Sequence, residues 1–508
     1  MLLLAAFGFQ LARQGGAQLS SGQTLGLLEA VSMTLEHDPN LGVVQARLES
    51  SRGALLSAAG KFDPVVTNQL LDSDTKAPLG TDRSFEQTMV ENDLGVSKLF
   101  RGGLSITPAV SLVRLRDTSV GPDTGNTAAV SFAFRQPLLR GRGRAATDAI
   151  ELAAGREVAA SGLDLLHTTA ERVQAVAAQY WSFAAAQAGL AVLRDSEASS
   201  RVLLETTRKL IEADVTPAAE LVQLEANVVS KEAARIGGEL AVFQARQELG
   251  RQIGLDAAEI GALPPAGDPF PAGAAAVLPA PAEAPRLIAT ALAHRADLQA
   301  ARTRLESADI QVRAADNALE AQLDLVLTPR YNGLTVGVGA GAFFGPLGQN
   351  VPGASFSVGL DLSWPTANRV ARGQLEQVLA GRRQSALAVD LLVKGIGADV
   401  PAALEAVVRD AAQLERATLA VRLFERAVDN EEKKLKGGTS TLIDVITQRD
   451  RLTAAREAEV QSRLALALAL LDLRFQTGTL VTGTGEAARL SFSDLTTVPA
   501  PSEPGGAP

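Results

Sequence analysis

Hydrophobic and polar positions along the chain keep two rhythms in turn, and the whole alternation runs twice. Residues 25–61 carry apolar side chains at helical spacing, and Asp63-Pro64 stops them. Segments near 64–73, 85–99, 103–116 and 127–139 then read as strands, set apart by clusters of Gly, Pro, Asp and Asn. Within the last of these, Val130, Phe132 and Phe134 alternate with Ser131, Ala133 and Arg135, the pattern of a strand with one apolar face. Gln136-Pro137-Leu138-Leu139-Arg140-Gly141 closes the strand region, and the rhythm returns to helical over 145–213. There Leu163, Leu166, Ala170, Val173, Ala177, Tyr180, Ala184 and Ala191 keep a spacing of three and four, a heptad seam interrupted by Gln187. A helix of about 65 residues is roughly 100 Å long, which no compact domain accommodates and a coiled-coil rod or tube does. Asp214-Val215-Thr216-Pro217 turns the chain, with Pro217 tolerated in the first turn of a helix returning to about Ile253.

The second half repeats this plan after a Pro/Ala-rich linker at 262–285. A helix over 285–322, strands near 324–343 and 354–363, and Trp364-Pro365 lead into a long helix at 370–436. The turn Gly437-Gly438-Thr439-Ser440-Thr441 follows, and a last helix reaches about Thr477. Four consecutive identities carry the repeat: Arg47-Leu48-Glu49-Ser50 recurs as Arg304-Leu305-Glu306-Ser307. The same register aligns Leu35 with Leu292, His37 with His294, Leu41 with Leu298 and Ala58 with Ala315. The expected organisation is therefore an N-terminal segment at 1–24, a first repeat at 25–261 and a second at 286–481. The first holds strands within 63–139 and a helical hairpin at 145–253. The second holds strands within 324–364 and a hairpin at 370–477. Residues 482–508, rich in Pro, Gly, Ser and Thr, are expected to be a disordered tail.

Composition narrows the chemistry. A net charge of −9 disfavours a nucleic-acid partner. With no cysteine, disulfides, thiolate zinc sites and cysteine nucleophiles are excluded, and three histidines supply little else. No metal-spaced cluster, Walker motif or nucleophile elbow is present, so neither cofactor nor metal is expected and no enzyme is read. The apolar run at 2–11 is too short to span a bilayer. Followed by Gly15-Gly16-Ala17, it reads as a candidate secretory signal, although no basic residue precedes it. Eight of the 16 phenylalanines (62, 85, 100, 132, 134, 343, 344 and 356) lie at or beside the strands, with Trp364 and Tyr331. Aromatic girdles of a membrane barrel produce that bias, as does ordinary β-propensity in a soluble sheet.

In combination these features resemble the TolC-like outer membrane efflux protein family, from about residue 25 to 480. The resemblance rests on the duplicated opening helix, with Glu29-Ala30…His37-Asp38-Pro39-Asn40-Leu41 echoed by Ala289…Arg295-Ala296-Asp297-Leu298. It rests also on Gln136-Pro137-Leu138-Leu139-Arg140-Gly141, and on the turn Gly438-Thr439-Ser440-Thr441-Leu442-Ile443-Asp444-Val445. The first-half counterpart of that turn is Asp214-Val215-Thr216-Pro217-Ala218-Ala219-Glu220-Leu221. The resemblance implies a mostly α fold with a β portion. Long antiparallel helices of a homotrimer would form a periplasmic α-barrel, and each protomer would add four strands to a twelve-stranded β-barrel in outer-membrane lipid. An extra strand pair near 85–116 departs from that plan. The implied function is a passive exit duct, fed by an inner-membrane pump through a periplasmic adaptor (a membrane fusion protein). The rival is a soluble, elongated coiled-coil scaffold.

The same resemblance places an acidic pore constriction at Asp444, with Glu220 at the equivalent first-half position. Thr447 stands where a second acid can occur. Asp444 has a plainer reading as a carboxylate complementing a helix N-terminus. Val215, Thr216 and Pro217, and Gly438, Thr439, Ser440 and Thr441, form the two tips that would face the adaptor; their hydroxyls also suit helix capping. Gln136, Pro137, Gly141, Trp364 and Pro365 mark the strand-to-helix junctions. Arg140, Arg142 and Arg144 read as a solvated junction, and Gly337-x-Gly339-x-Gly341 as small residues of a strand.

Overall fold

A computed structural model describes residues 24–78, 84–117, 124–212, 220–271, 281–349, 354–481 and 490–499. Most of the expected leader, and the first tip's Val215, Thr216 and Pro217, lie outside the described residues. The chain opens with α1 (Leu27–His37) and α2 (Pro39–Gly60), then β1 (Val65–Pro78), β2 (Ser84–Leu99), β3 (Ser105–Asp117) and β4 (Thr124–Pro137). Helices α3 (Arg144–Thr147), α4 (Ala149–Glu212), α5 (Glu220–Ile253) and α6 (Ala257–Ala262) complete the first repeat. The second comprises α7 (Ala284–His294), α8 (Ala296–Asn317), β5 (Gln322–Val336), α9 (Ala340–Phe344), β6 (Ala354–Ser363), α10 (Arg369–Lys436) and α11 (Leu442–Gln476), followed by α12 (Phe492–Thr496).

The repeat offset between Arg47 and Arg304 reproduces both bounds of α1 in α7 and both bounds of α2 in α8. What read as one opening helix is two in each half. Asp38 is extended because it precedes Pro39, which disfavours helical backbone at the residue before it. Arg295 makes the same break without a proline. Its guanidinium pairs with Asp297 at 2.7 Å and bonds Gln476 at 3.0 Å. Burial opposes the Asp297 charge, but the Arg295 hydrogen bond and charge outweigh it and hold the carboxyl below its ordinary range.

The described residues divide into two compact units. One comprises 49–160 and 301–388 and contains all six strands in a single antiparallel sheet, ordered β1-β2-β3-β4-β5-β6. The four strands per protomer implied by the family are thus corrected to six. The additional pair, β2 and β3, is hydrogen-bonded into the sheet, β2 to β1 and β3 to β4. The strand expected to reach residue 343 ends at Val336. Gly337 and Gly339 take positive φ there, and a short helix with Phe343 and Phe344 follows.

The other unit, made of the described residues within 1–48, 161–300 and 389–508, is mainly helical, with its core around α4. Tyr180, Trp181 and Phe183 are fully buried there against Leu25, Leu27, Leu249, Ile253 and Leu471. Burying three adjacent large side chains shows that α4 is enclosed on several sides, beyond a narrow heptad seam. Ala191, at the end of that seam, is exposed. The Tyr180 hydroxyl donates toward the Leu25 carbonyl at 2.9 Å and accepts from the Asp268 N–H at 3.0 Å. Burial pushes this phenol above its ordinary value. Residues 262–271, expected to be linker, are therefore part of the core: Leu263 is buried and the Asp268 carboxylate accepts from the Leu27 N–H at 2.5 Å.

A second cluster joins α7, α8, α10 and α11 through Leu287, Leu298, Ile396, Val400, Leu404 and Leu473. Part of the expected tail is folded as well. Leu495 of α12 is fully buried, and the Arg474 guanidinium bonds the Thr497 carbonyl at 2.7 Å and Asp494 at 3.1 Å. The contacts that hold this segment come from residues far back in the sequence, which local composition does not encode.

Candidate functional site

The strand register divides the sheet into two chemically distinct faces. Phe356, Val358, Leu360 and Leu362 alternate along β6 and are all largely exposed. Their partners across β5 are Pro329, Leu327, Leu325 and Leu323. The same face continues through Phe134, Phe132 and Val130 on β4, Ile106 and Val110 on β3, and Leu94 and Val96 on β2, ending at Val66 and Leu70 on β1. Asn68 and Asn92 interrupt it but bond each other at 3.1 Å, so that interruption is partly satisfied, and Lys98 and Gln136 border it opposite Ile106 and Leu325.

On β5 and β6 the opposite face is polar. Ser355, Ser357, Asp361 and Ser363 of β6 lie on it with Asp324, Thr328 and Arg330 of β5. Arg135 on β4 reaches across two strands, bonding Asp324 at 2.8 Å and Asp361 at 3.1 Å. Gln322 extends the network by donating to Asp324 at 2.8 Å and accepting from Arg140 at 2.5 Å. On these two strands the sheet thus has one apolar and one polar face.

The first strand-to-helix junction is tightly packed. Gly103 has φ of +94°, and a Cβ there would meet the Gly141 carbonyl oxygen at 2.5 Å and the Pro137 ring at 2.8 Å. The Gly141 N–H donates to Asn317 at 2.8 Å, and the Thr147 hydroxyl to the Gly141 carbonyl at 2.9 Å. Gln136 donates to the Pro137 carbonyl at 3.0 Å. At the second junction Trp364 is exposed beside Pro365, and Asn368 takes a positive φ while bonding the Leu319 carbonyl at 3.1 Å. Phe62, grouped in sequence with the exposed aromatics, is instead buried beneath the Arg101 guanidinium, 4.8 Å from its ring.

At the described tip, the α10–α11 turn, Gly438 has φ of +73° and the Thr439 N–H returns to the Lys434 carbonyl at 2.9 Å. Thr441 caps α11: its hydroxyl accepts from the Asp444 N–H at 3.3 Å and donates to the Asp444 carboxylate at 2.6 Å. The Thr441 N–H bonds the same carboxylate at 3.2 Å. The Thr441 hydroxyl, and then its N–H, hold the Asp444 carboxyl below its ordinary range. Ser440 bonds Glu431 and, with Lys434, lowers that carboxyl too.

Asp444 and Thr447 are both exposed, one helical turn apart. The apolar side of the turn packs Leu442 with Leu204 of α4 and Leu224 and Val228 of α5, so both hairpin ends share one core. Lys231–Asp450 at 2.7 Å and Arg449–Glu432 at 2.5 Å lace the hairpins above it. Glu220 opens α5, and its side chain lies outside the described residues. Sequence reasoning missed the Arg135–Asp324–Asp361 network, whose only local signal was one or two isolated charges in each strand.

No group of three or more His, Asp or Glu able to hold a metal occurs among the described residues, nor does any helix long and apolar enough to cross a membrane. Residues 287–479 match the outer membrane efflux protein family. That match spans the second repeat, less than half of the chain. Solved TolC-like channels share its fold over both repeats. The outer membrane protein VceC from Vibrio cholerae is similar at 17% identity and a TM-score of 0.61, over 89% of this chain and 96% of that one. For the CmeC outer membrane channel of Campylobacter jejuni the values are 13% and 0.62, over 89% and 85%. For the MtrE outer membrane channel of Neisseria gonorrhoeae they are 17% and 0.59, over 89% and 88%. Among curated proteins none matches in sequence. The fold of these channels thus covers the first repeat as well, beyond the residues matched to the family.

Proposed function

We propose that this protein is the passive outer-membrane exit channel of a tripartite efflux or type I secretion system. It works as a homotrimer with a long periplasmic extension. The two-faced sheet carries the reading. Four large apolar side chains alternate in the open along β6, and the facing ladder is serine, aspartate and an arginine network. A strand bathed by lipid on one side and water on the other needs that arrangement, whereas a soluble scaffold exposing it would aggregate. An inner-membrane pump supplies energy and selects cargo, and a periplasmic adaptor meets the hairpin tips at Thr439, Ser440 and Thr441 and at Val215, Thr216 and Pro217. Exposed Asp444 carboxylates, one per protomer, form an acidic constriction that binds cations. Glu220 and Thr447 lie beside it along the duct.

Planar-bilayer conductance of the detergent-extracted protein tests the proposal. Discrete steps, blocked by divalent cations from one side, are expected. Protein that stays soluble without detergent and never inserts would refute it.

A further inference from the structure

We infer that β6 of one protomer pairs with β1 of the next, so that three copies close an eighteen-stranded barrel in place of the twelve strands implied by family resemblance. The inference rests on the trimeric channel reading and adds the interface and the size of the pore.

The first observation is the pair of bare edges. Among the described residues β1 pairs only with β2, and β6 only with β5. Edge strands of a sheet that is to remain open carry lysines, prolines or bulges. β6 has none of these, and its one charge, Asp361, is turned inward to Arg135; on β1 the lysine and proline, Lys76 and Pro78, lie beyond Leu70, outside the apolar band. The two edge strands run in opposite directions, so joining them head to tail continues the antiparallel order. An interface that uses two different edges generates a ring.

The second observation is the slant of the apolar band. On β6 that band is centred on Gly359, between Phe356 and Leu362. On β1 it is centred on Asn68, between Val66 and Leu70. Traced through the registers, Asn68 is level with Ala354, five residues along β6 from Gly359. Across five strand steps the band therefore moves about one residue per step. With about 3.4 Å per residue and 4.8 Å between strands, this corresponds to a tilt of about 35°. That is the tilt of strands closed into a barrel. An open sheet lying on a surface has no need of this stagger.

Continuing the stagger by one more step places Gln69 opposite Gly359 of the neighbouring copy. Val66 then meets Leu362, and Leu70 meets Val358, on the lipid side. Thr67 faces Asp361 on the water side.

The third observation is that β2 and β3 cannot be set aside. β1 reaches the rest of the sheet only through them, with pairing along the full length of β1. Barrel diameter grows roughly in proportion to strand number, so eighteen strands give a mouth about half again as wide as twelve.

Because the chain contains no cysteine, the test has a clean background. Full-length double variants pairing Ser357→Cys with Thr67→Cys, Gln69→Cys or Leu71→Cys would be extracted in detergent and oxidised. Their products would be read on non-reducing gels, and the trimer confirmed by native mass. All four positions lie on the polar face, within reach of a soluble oxidant. A reducible ladder up to trimer is expected for at least one pairing, strongest near Leu71, while single-cysteine controls stay uncrosslinked. Linking of Ser357→Cys to Thr107→Cys or Ala109→Cys on β3 would show that β1 and β2 stand outside a twelve-stranded ring, and overturn the inference. So would an intact trimer that none of the β1 pairings links. A monomer by native mass would instead defeat the trimeric channel reading beneath it.

Discussion

At Thr441 and Asp444 each side chain closes on the other's backbone N–H, and the threonine hydroxyl also donates to the carboxylate. Capping and a constriction role are compatible, because the cap orients the exposed carboxylate and keeps it ionised. The sign follows from the lowered pKa. Whatever Asp444 contributes, to stability or to cation binding, is present above its ordinary value near 3.8 and lost only as pH falls through its lower folded value. Divalent block should therefore stay flat from neutral pH down to about 4. Asp444→Asn should weaken that block at every pH. Thr441→Val should move its loss to higher pH, as bilayer titrations can record; a block unchanged by Asp444→Asn would remove this residue from the constriction. In sequence Asp444 stood out by family resemblance and as a carboxylate near a helix start, and Thr441 as a tip hydroxyl suited to capping; their reciprocal capping box is seen only in the structure. The fate of Phe62 stayed open, because a phenylalanine in a girdle and one under an arginine look alike in sequence.

Among the elements, the legible ones were set by local chemistry. Asp63-Pro64 announces the end of α2 and alternation announces β4, whereas the break at Pro39, though a local signal, lies inside a stretch that reads as one helix. The break at Arg295 is invisible because its causes, Asp297 and Gln476, act through folded geometry. Gly337-x-Gly339 sustains a strand-like alternation that positive φ values end. Composition reads 262–285 as linker and 482–508 as disordered, whereas Asp268 bonds Leu27 far back in the chain and Arg474 holds Thr497.

The hairpin tip yields a prediction of its own. Thr441 is exposed although its hydroxyl is engaged, and Thr439 bonds only its own turn. Replacing Thr439 with Lys, and separately Thr441 with Asp, which keeps a capping oxygen, should lower export in cells while the trimer stays intact on native gels. Normal export in both would count against tip docking.

For the whole molecule, the two-faced sheet and the shared tip core follow from one repeat used twice, modified once. The modification is β2–β3, absent from the second repeat. Charge is also a property at this scale. At −9 per chain, three copies of the proposed channel carry about −27, and with part of that charge lining the duct cations should outpace anions. Reversal potentials in a salt gradient measure this. The preference should shrink as salt rises and the Debye length falls below about 10 Å. An anion-selective pore would place the excess negative charge on the outer surface.

The added β2–β3 pair also bears on how such a pore changes size. A hairpin leaves and returns at the same end of the sheet, so the strands after it keep their direction and α3 still begins on its original side. A single added strand would deliver the following helices to the wrong side of the membrane. Circumference can therefore grow only by two strands per copy, or six per ring of three. The bore is quantised: it moves between widely separated sizes, and fine adjustment falls to the side chains that line it.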